Sequence, residues 1–435
     1  MSDADVLVIG AGVAGLAAAL AARDAGASVV VIDAHAGASA LAGGAWDVAT
    51  DVGAAPEDVF RPARSLEQAL VARAREDANH PYAKLGMDVV EAVRSAHERV
   101  LGALAIYRPL DLRGTGVLLA TDLGLPRRAA TAQLAVLALD GARGGAIAVA
   151  VLRGYRYTDS AFLAASLADI ADVADDDRRF GALEIEFFRR REDALLHPHE
   201  IAAIADAEDG RARLTQTLAR AIAGAQHDAV LLPPVLGLRT DDVASELLAK
   251  VGVPVGEIVA PLAGPQGLRL VRRIDAVMRE SGCERRSARV RAVVPHASGT
   301  TVVLDDGEEL RGKAVVLATG KHTSGGLVTR GGDLREPLAD LPVWVDGRVL
   351  ALASSASGRD PAVFFGMNPF VGGPAFRAGV AFDERFRALD RDGRPRAADL
   401  LVCGALLSGH DPARDGTGLG CAATTGWLAG RHAAS

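Results

Sequence analysis

The opening stretch of the chain constrains its fold more than any other feature. From Val6 to Asp33 it reads VLVIGAGVAGLAAALAARDAGASVVVID: an apolar strand, a glycine turn, an alanine-rich helix and a second strand. Gly10 permits the sharp turn out of the first strand. Gly12 lets a pyrophosphate approach the backbone, and Gly15 lets the helix lie close on the sheet. The helix start, at Val13 and Ala14, offers unpaired amides and a partial positive charge. The second strand closes on Asp33, followed by Ala34, and an acid there suits the ribose hydroxyls of an adenosine. Together these features predict a dinucleotide-binding βαβ unit, although the motif alone does not separate FAD from NAD.

Two further glycine segments point to a flavin. In AGASALAGGAWDVA the pair Gly43 and Gly44 suits backbone running beside a flavin ring. From Arg289 the sequence reads as three short strands, with turns at Ser298-Gly299 and Asp306-Gly307. A fourth strand then ends in Ala318, Thr319 and Gly320, and Val290 opens this meander as a further expected cofactor neighbour. KHTSGGLV follows, a glycine loop in which Lys321 or His322 could face a cleft. The chain closes with a strand over Asp399–Cys403, a loop holding Gly404, Ala405, His410 and Asp411, and a helix opened by Gly418, Leu419 and Gly420. Amides at such a helix start suit the oxygen that becomes negative when a flavin is reduced.

Between these segments, SLEQALVARA and VVEAVRSAHERVLGALAIY have helical apolar spacing, and His80 reads as a capped residue of the turn Asn79–Tyr82. GVLLATD and AIAVAVL read as strands, Ser160–Ile170 as a helix and Asp172–Arg179 as a solvated loop. Leu214–Ala223 and Asp241–Lys250 read as helices around a buried strand at Asp228–Pro233. Arg269, Arg272 and Arg273 on the basic helix Gly267–Ser281 read as a solvated face, or as anion ligands. Because the cofactor signals lie at both ends of the chain, the expected fold is α/β. It is a glutathione-reductase-type FAD/NAD(P)-binding Rossmann fold with a β-meander and an inserted α+β domain. The FAD-binding domain is expected over residues 1–110, 283–340 and 396–435, a substrate or partner domain over 111–282, and a cap segment over 341–395.

Composition excludes several functions. A formal net charge of −7 argues against a nucleic-acid groove. Cys283, Cys403 and Cys421 lie far apart, which excludes an iron–sulfur cluster or zinc ribbon ligated by cysteines of this chain alone and suits a reducing compartment. The chain enters a strand almost at once, without the basic start of a signal peptide. Arg23 and Asp24 cut the alanine-rich helix short of transmembrane length. A cytoplasmic protein is expected, meeting the inner face of the membrane only through partners.

Several longer motifs run nearly end to end: GGAWDVA, HPYAKLG at 80–86, VLATGKHTSGGLV at 316–328, LREPL at 334–338, and CGALLSGHDP with GTGLGCA near the end. In these the chain resembles the B-subunit family of anaerobic glycerol-3-phosphate dehydrogenase. The resemblance implies a flavin-binding subunit of a respiratory complex. A sister flavoprotein subunit oxidises glycerol 3-phosphate to dihydroxyacetone phosphate, and an iron–sulfur, membrane-anchoring subunit passes electrons to quinone. The family's flavin is described as FMN. Asp33 would have nothing to bind in FMN, so FAD ranks first and FMN is the alternative. His322, His410 and Asp411, in loops beside the flavin-facing glycines, are the candidate acid–base groups, with no metal expected. Two other readings stay open: a self-sufficient flavin dehydrogenase or reductase acting on another small acid, and a flavin-binding scaffold.

Overall fold

The computed structural model describes residues 4–50, 55–142, 144–224, 226–239, 243–260, 264–297, 299–330, 333–350 and 373–435. Ser298 of one expected turn, the first residues of the helix expected from Asp241, and 351–372 of the expected cap segment lie outside these residues.

β1 (Ala4–Ile9) leads through Gly10 into α1 (Val13–Asp24) and back as β2 (Val29–Asp33), parallel to β1. Gly10 has φ +107°, and a Cβ there would lie 2.5 Å from the Ala318 carbonyl oxygen, so only glycine fits this turn. α2 (Leu66–Glu76) starts on a reciprocal Ser65–Gln68 capping box. α3 (Val89–Leu104) starts where the Asp88 carboxylate accepts from the Glu91 amide, and packs an apolar face inward.

A separate sheet follows. β3 (Ala146–Leu152), α4 (Ser160–Val173), β4 (Arg179–Ile185), α5 (Pro198–Asp206), α6 (Glu208–Ile222), β5 (Ala229–Leu232), α7 (Val243–Val251) and β6 (Val255–Glu257) come in that order. Its strand order is β6-β5-β3-β4, and every pairing is parallel. An α+β insertion was expected; the described sheet is instead α/β. The reason lies in the apolar strands. Ala148, Ala150, Val230 and Leu232 point into a core with Leu214, Leu218 and Leu247. Their neighbours Ile147, Val149, Ala229 and Leu231 point into a second core with Leu163 and Leu167. A strand buried on both faces needs helices on both sides, which parallel crossovers supply.

α8 (Pro265–Glu280) returns to the first sheet through β7 (Glu284–Ser287), β8 (Val290–His296), β9 (Gly299–Leu304) and β10 (Glu309–Leu317). The expected third and fourth meander strands are one nine-residue strand, β10. Its first half pairs antiparallel with β9, and Gly312–Leu317 runs parallel to β1. β11 (Val328–Arg330), β12 (Asp333–Glu336) and β13 (Leu341–Val345) form an antiparallel ladder. β14 (Leu400–Val402) pairs parallel with the end of β10, and α9 (Gly418–Ala433) closes the chain. The first sheet is therefore ordered β7-β2-β1-β10, with β9 and β14 sharing the outer edge of β10.

α9 lies against α1. At Gly426 and Gly430 a Cβ would come within 2.2 Å of the Ala14 and Ala18 carbonyl oxygens, so bare backbones meet there. Among the described residues, no helix is long and apolar enough to cross a membrane.

Arg269, Arg272 and Arg273 of α8 tie it to neighbouring segments of the fold. Arg269 is 4% exposed and ion-paired at 2.5 Å with the fully buried Glu257 at the end of β6. It also donates to Gln133 Oε1 at 3.0 Å and the Gly237 carbonyl at 2.7 Å. The second Glu257 oxygen accepts from Gln266 Nε2 at 2.9 Å. Arg272 donates to the Leu238 carbonyl, and Arg273 to the Leu104 and Ala103 carbonyls. The expectation of a solvated face is corrected for Arg269, which is buried, while Arg273 is half-buried and Arg272 remains exposed. With both charges of the Glu257–Arg269 pair partnered, removing either one would leave the other buried alone, at a cost of about 3–5 kcal/mol.

Candidate functional site

The glycine segments converge on the carboxyl edge of the first sheet, where open α/β sheets bind ligands. Gly10 and Ala318 meet where β1 and β10 end, the Ala318 amide donating to the Ile9 carbonyl at 2.9 Å. Gly404, with Ala405 beside it, sits against α1: a Cβ on Gly404 would lie 2.6 Å from that of Ala14. Ser39 Oγ accepts from the Val13 amide at 3.1 Å, and Gly15 packs on the Gly10 carbonyl. Gly320 faces Ser324, whose Oγ accepts from the Ala38 amide.

At the far end of β2, Asp33, Ala34, Gly37 and Ser39 line a cleft of about 230 Å³ with Asp275, Arg285 and Ser287. Val290 starts β8 nearby, two residues after Ala288, whose amide donates to the Asp33 carbonyl. Gly43 and Gly44 lie against the return from the second sheet. A Cβ at Gly43 would meet the Ala260 carbonyl at 2.5 Å, and one at Gly44 the Gln266 side chain at 3.0 Å. Packing against protein therefore accounts for glycine at both positions.

α9 begins beside the GGAWDVA segment. The Gly420 amide donates to the Asp47 carbonyl at 2.9 Å, and Asp47 is ion-paired with Arg127 at 2.6 Å. Trp46 is fully buried, edge-on to His97 and Tyr107. At Gly418 a Cβ would meet only Asp47 Oδ2, at 4.0 Å, and at Gly12 only Ser39 Oγ, at 3.1 Å. Both positions leave room beside the backbone, although at α9 the Gly418 and Gly420 amides already donate to the Pro412 and Asp47 carbonyls. Among the described residues, Thr319 Oγ1 and Thr417 Oγ1 are buried without a hydrogen-bond partner near these openings. The α1 start, the room beside Gly418, unpartnered hydroxyls at one end and an acid-lined cleft at the other fit an extended flavin dinucleotide.

Beside this edge lies a buried polar cluster built from four distant segments. Gly409 seats the GHDP loop on the HPY turn, since a Cβ there would lie 1.9 Å from the Asn79 carbonyl oxygen. The His80 and His410 rings stand edge to face at 5.6 Å. His80 Nδ1 accepts from the Tyr82 amide at 3.1 Å, and its Nε2 lies 3.9 Å from Asp415 Oδ2. Lys321 donates to the carbonyls of Phe376 at 2.6 Å and His410 at 3.2 Å. Asp415 accepts from the Asp411 amide at 2.8 Å, and Asp411 itself caps the amides of Ala413 and Arg414. Arg377 is held by Asp77 at 2.5 Å and Asp346 at 2.7 Å.

Burial dominates the electrostatics. It pushes His80 down to about 3, helped by the Arg73 and Arg377 charges, and holds His410 well below the usual histidine range. Burial lowers Lys321 to about 7 against the pull of Asp411, and raises the Asp415 carboxyl. At neutral pH the cluster holds two uncharged imidazoles and a lysine balanced between charge states, a set able to hold or release a proton.

His410 and Asp411 are thus brought together with Lys321. His322 is not: it is exposed and contacts the Ala375 carbonyl at 2.9 Å. The sequence reading missed Asp415, Arg377 and Asp77, which have no local signal apart from the spacing of acids in HDPARD. A larger cleft of about 650 Å³, between α3 and residues 105–113, shares no residue with the glycine segments.

The sequence model of a family described as FAD binding domain matches residues 5–421. The chain belongs to the FAD-binding domain family. FAD is its cofactor, and it is a flavin oxidoreductase. The resemblance seen in the motifs extends along the chain. It is 26% identical over 432 residues to the B subunit of anaerobic glycerol-3-phosphate dehydrogenase from Pectobacterium carotovorum, covering 96% of this chain and 95% of the relative. To the protein of the same name from Vibrio cholerae it is 25% identical, covering 99% and 96%. Among solved structures, 3-ketosteroid delta1-dehydrogenase from Sterolibacterium denitrificans is 14% identical with a TM-score of 0.42, each chain covered to 99%. Within the FAD-binding domain family, the residues that would hold the pyrophosphate are those of the α1 start, Gly12–Gly15, with Ser39.

Proposed function

We propose that this chain is the flavin-binding subunit of a respiratory, anaerobic-type glycerol-3-phosphate dehydrogenase complex. It takes part in oxidising glycerol 3-phosphate to dihydroxyacetone phosphate, with electrons moving towards quinone. The observation that carries this reading is that HPY and GHDP, two motifs particular to the B-subunit resemblance, meet Lys321 of the loop after the ATG strand in one buried cluster beside the flavin glycines. Bound FAD accepts two electrons together and can pass them on singly. The chain's own residues bind it, exclude water and manage protons. In this reading His410, Asp411 and Lys321, with His80, are the acid–base groups, and His322 lies apart from them on the Ala375 carbonyl.

The partners are a catalytic sister flavoprotein subunit and an iron–sulfur subunit that anchors the complex at the inner face of the membrane. The parallel order of β7, β2, β1 and β10, with the meander branching from β10, supports reading the cofactor domain as glutathione-reductase-type. The inserted domain over residues 111–282 is the substrate or partner domain in this reading.

The acid–base cluster also suits a second reading, a chain that oxidises another small acid unaided. Anaerobic mixing of the purified chain with glycerol 3-phosphate, and with other small acids, separates the two. The relay reading expects the flavin absorbance to bleach only when the sister subunit is present. Rapid bleaching of the chain alone would overturn it.

A further inference from the structure

We propose that Arg285, braced by Asp275, is the positioning residue that sets Asp33 to receive the adenosine half of FAD, and so makes the chain select FAD over a flavin without adenosine. The proposal rests on the FAD assignment and is independent of the electron partner, so the two readings can fail separately.

β7 lies beside β2 in parallel register, Arg285 opposite Val31 and Ser287 opposite Asp33. From there Arg285 Nη2 reaches Asp33 Oδ2 at 3.0 Å, and its Nη1 reaches Asp275 Oδ1 on α8 at 2.8 Å. A planar guanidinium with fixed donors can satisfy two carboxylates at once, which a lysine's point charge does less well. The contact engages Oδ2 of Asp33, leaving Oδ1 as the acceptor for ribose hydroxyls.

The three side chains form one wall of the cleft of about 230 Å³ at the end of β2, a space too small for a whole dinucleotide. The cleft also holds Ser39, which touches the α1 start, so it continues directly from the pyrophosphate position. Asp33 retains only 14% side-chain exposure, so it depends on this brace for its orientation. Neither partner belongs to the glycine fingerprint: Arg285 and Asp275 arrive on the segment that returns from the second sheet. FMN, lacking the adenosine ribose and adenine, would touch none of the three.

The test uses the full chain purified with its FAD and diluted until flavin leaves, release being followed as the rise of free-flavin fluorescence. Arg285→Ala is expected to release FAD about tenfold faster or more, with Asp275→Asn and Arg285→Lys showing smaller changes in the same direction. After the bound flavin is stripped, FMN affinity should be the same in all forms and in the parent. Thermal unfolding of the stripped chains shows whether each variant is folded. If Arg285→Ala does not fold, the Asp275→Asn and Arg285→Lys chains carry the test. Unchanged FAD release in the folded variants would overturn the proposal. So would an equal loss of FAD and FMN affinity, which would mean only a loosened fold.

Discussion

At the scale of single residues, Lys321 is the most informative side chain. Its amine is tied to two carbonyls, with Asp411 favouring its charge and burial and Arg377 opposing it. Its folded value of about 7 lies below the unfolded value of 10.5. Below the folded value both states hold the proton, and the full burial penalty is felt. As pH rises from about 7 towards 10.5 the folded chain loses a proton that the unfolded chain keeps, so this residue's cost is relieved by about 1.4 kcal/mol per pH unit. Lys321→Met should therefore flatten the rise of unfolding free energy over that window in the flavin-free chain. The two carbonyls left without a donor add a constant cost of about 1–3 kcal/mol, so the slope and not the offset is the readout. Parallel urea-unfolding profiles for parent and variant would contradict the burial assigned to Lys321. Single residues were only partly legible in the sequence. His80 reads correctly as a turn cap, since its Nδ1 accepts from Tyr82. Its contact with His410 joins opposite ends of the chain and leaves no trace in local spacing.

At the scale of elements, α1 and α9 form the contact on which the flavin edge depends. The α1 unit was legible because its chemistry is local: a positive-φ glycine, a helix and a strand within one stretch of chain. The role of α9 was legible only at its start. Gly426 and Gly430 pass for ordinary glycines in a sequence, yet both admit the α1 backbone. In an exposed helix, glycine to alanine gains about 1 kcal/mol. Here Gly426→Ala should instead lower stability by about 1–3 kcal/mol and weaken FAD retention, because α1 must shift to clear the new methyl. Denaturant midpoints and flavin content after gel filtration measure both effects. A stabilised variant that keeps full FAD would refute the close contact. The meander was misread for a related reason: β10 changes partners at Gly312, from β9 to β1, and pairing is a property of neighbours.

For the whole molecule, the split layout of the cofactor sheet was readable from glycine motifs at both ends of the chain. The character of the middle was not. A continuous apolar strand such as AIAVAVL signals burial on both faces, but its parallel partners lie many residues away. α8 links the two sheets: its first turns hold Glu257 through Gln266 and Arg269, and Asp275 later on it braces the adenosine cleft through Arg285. One helix therefore carries both the Glu257 pair and the Asp275–Arg285 pair beside Asp33. An adenine dinucleotide is expected to lie from the Asp33 cleft to the start of α9. Denaturing the purified chain and weighing the released flavin by mass spectrometry tests this most directly. FAD is expected at about one per chain, while FMN, or a preparation without flavin, would contradict that placement.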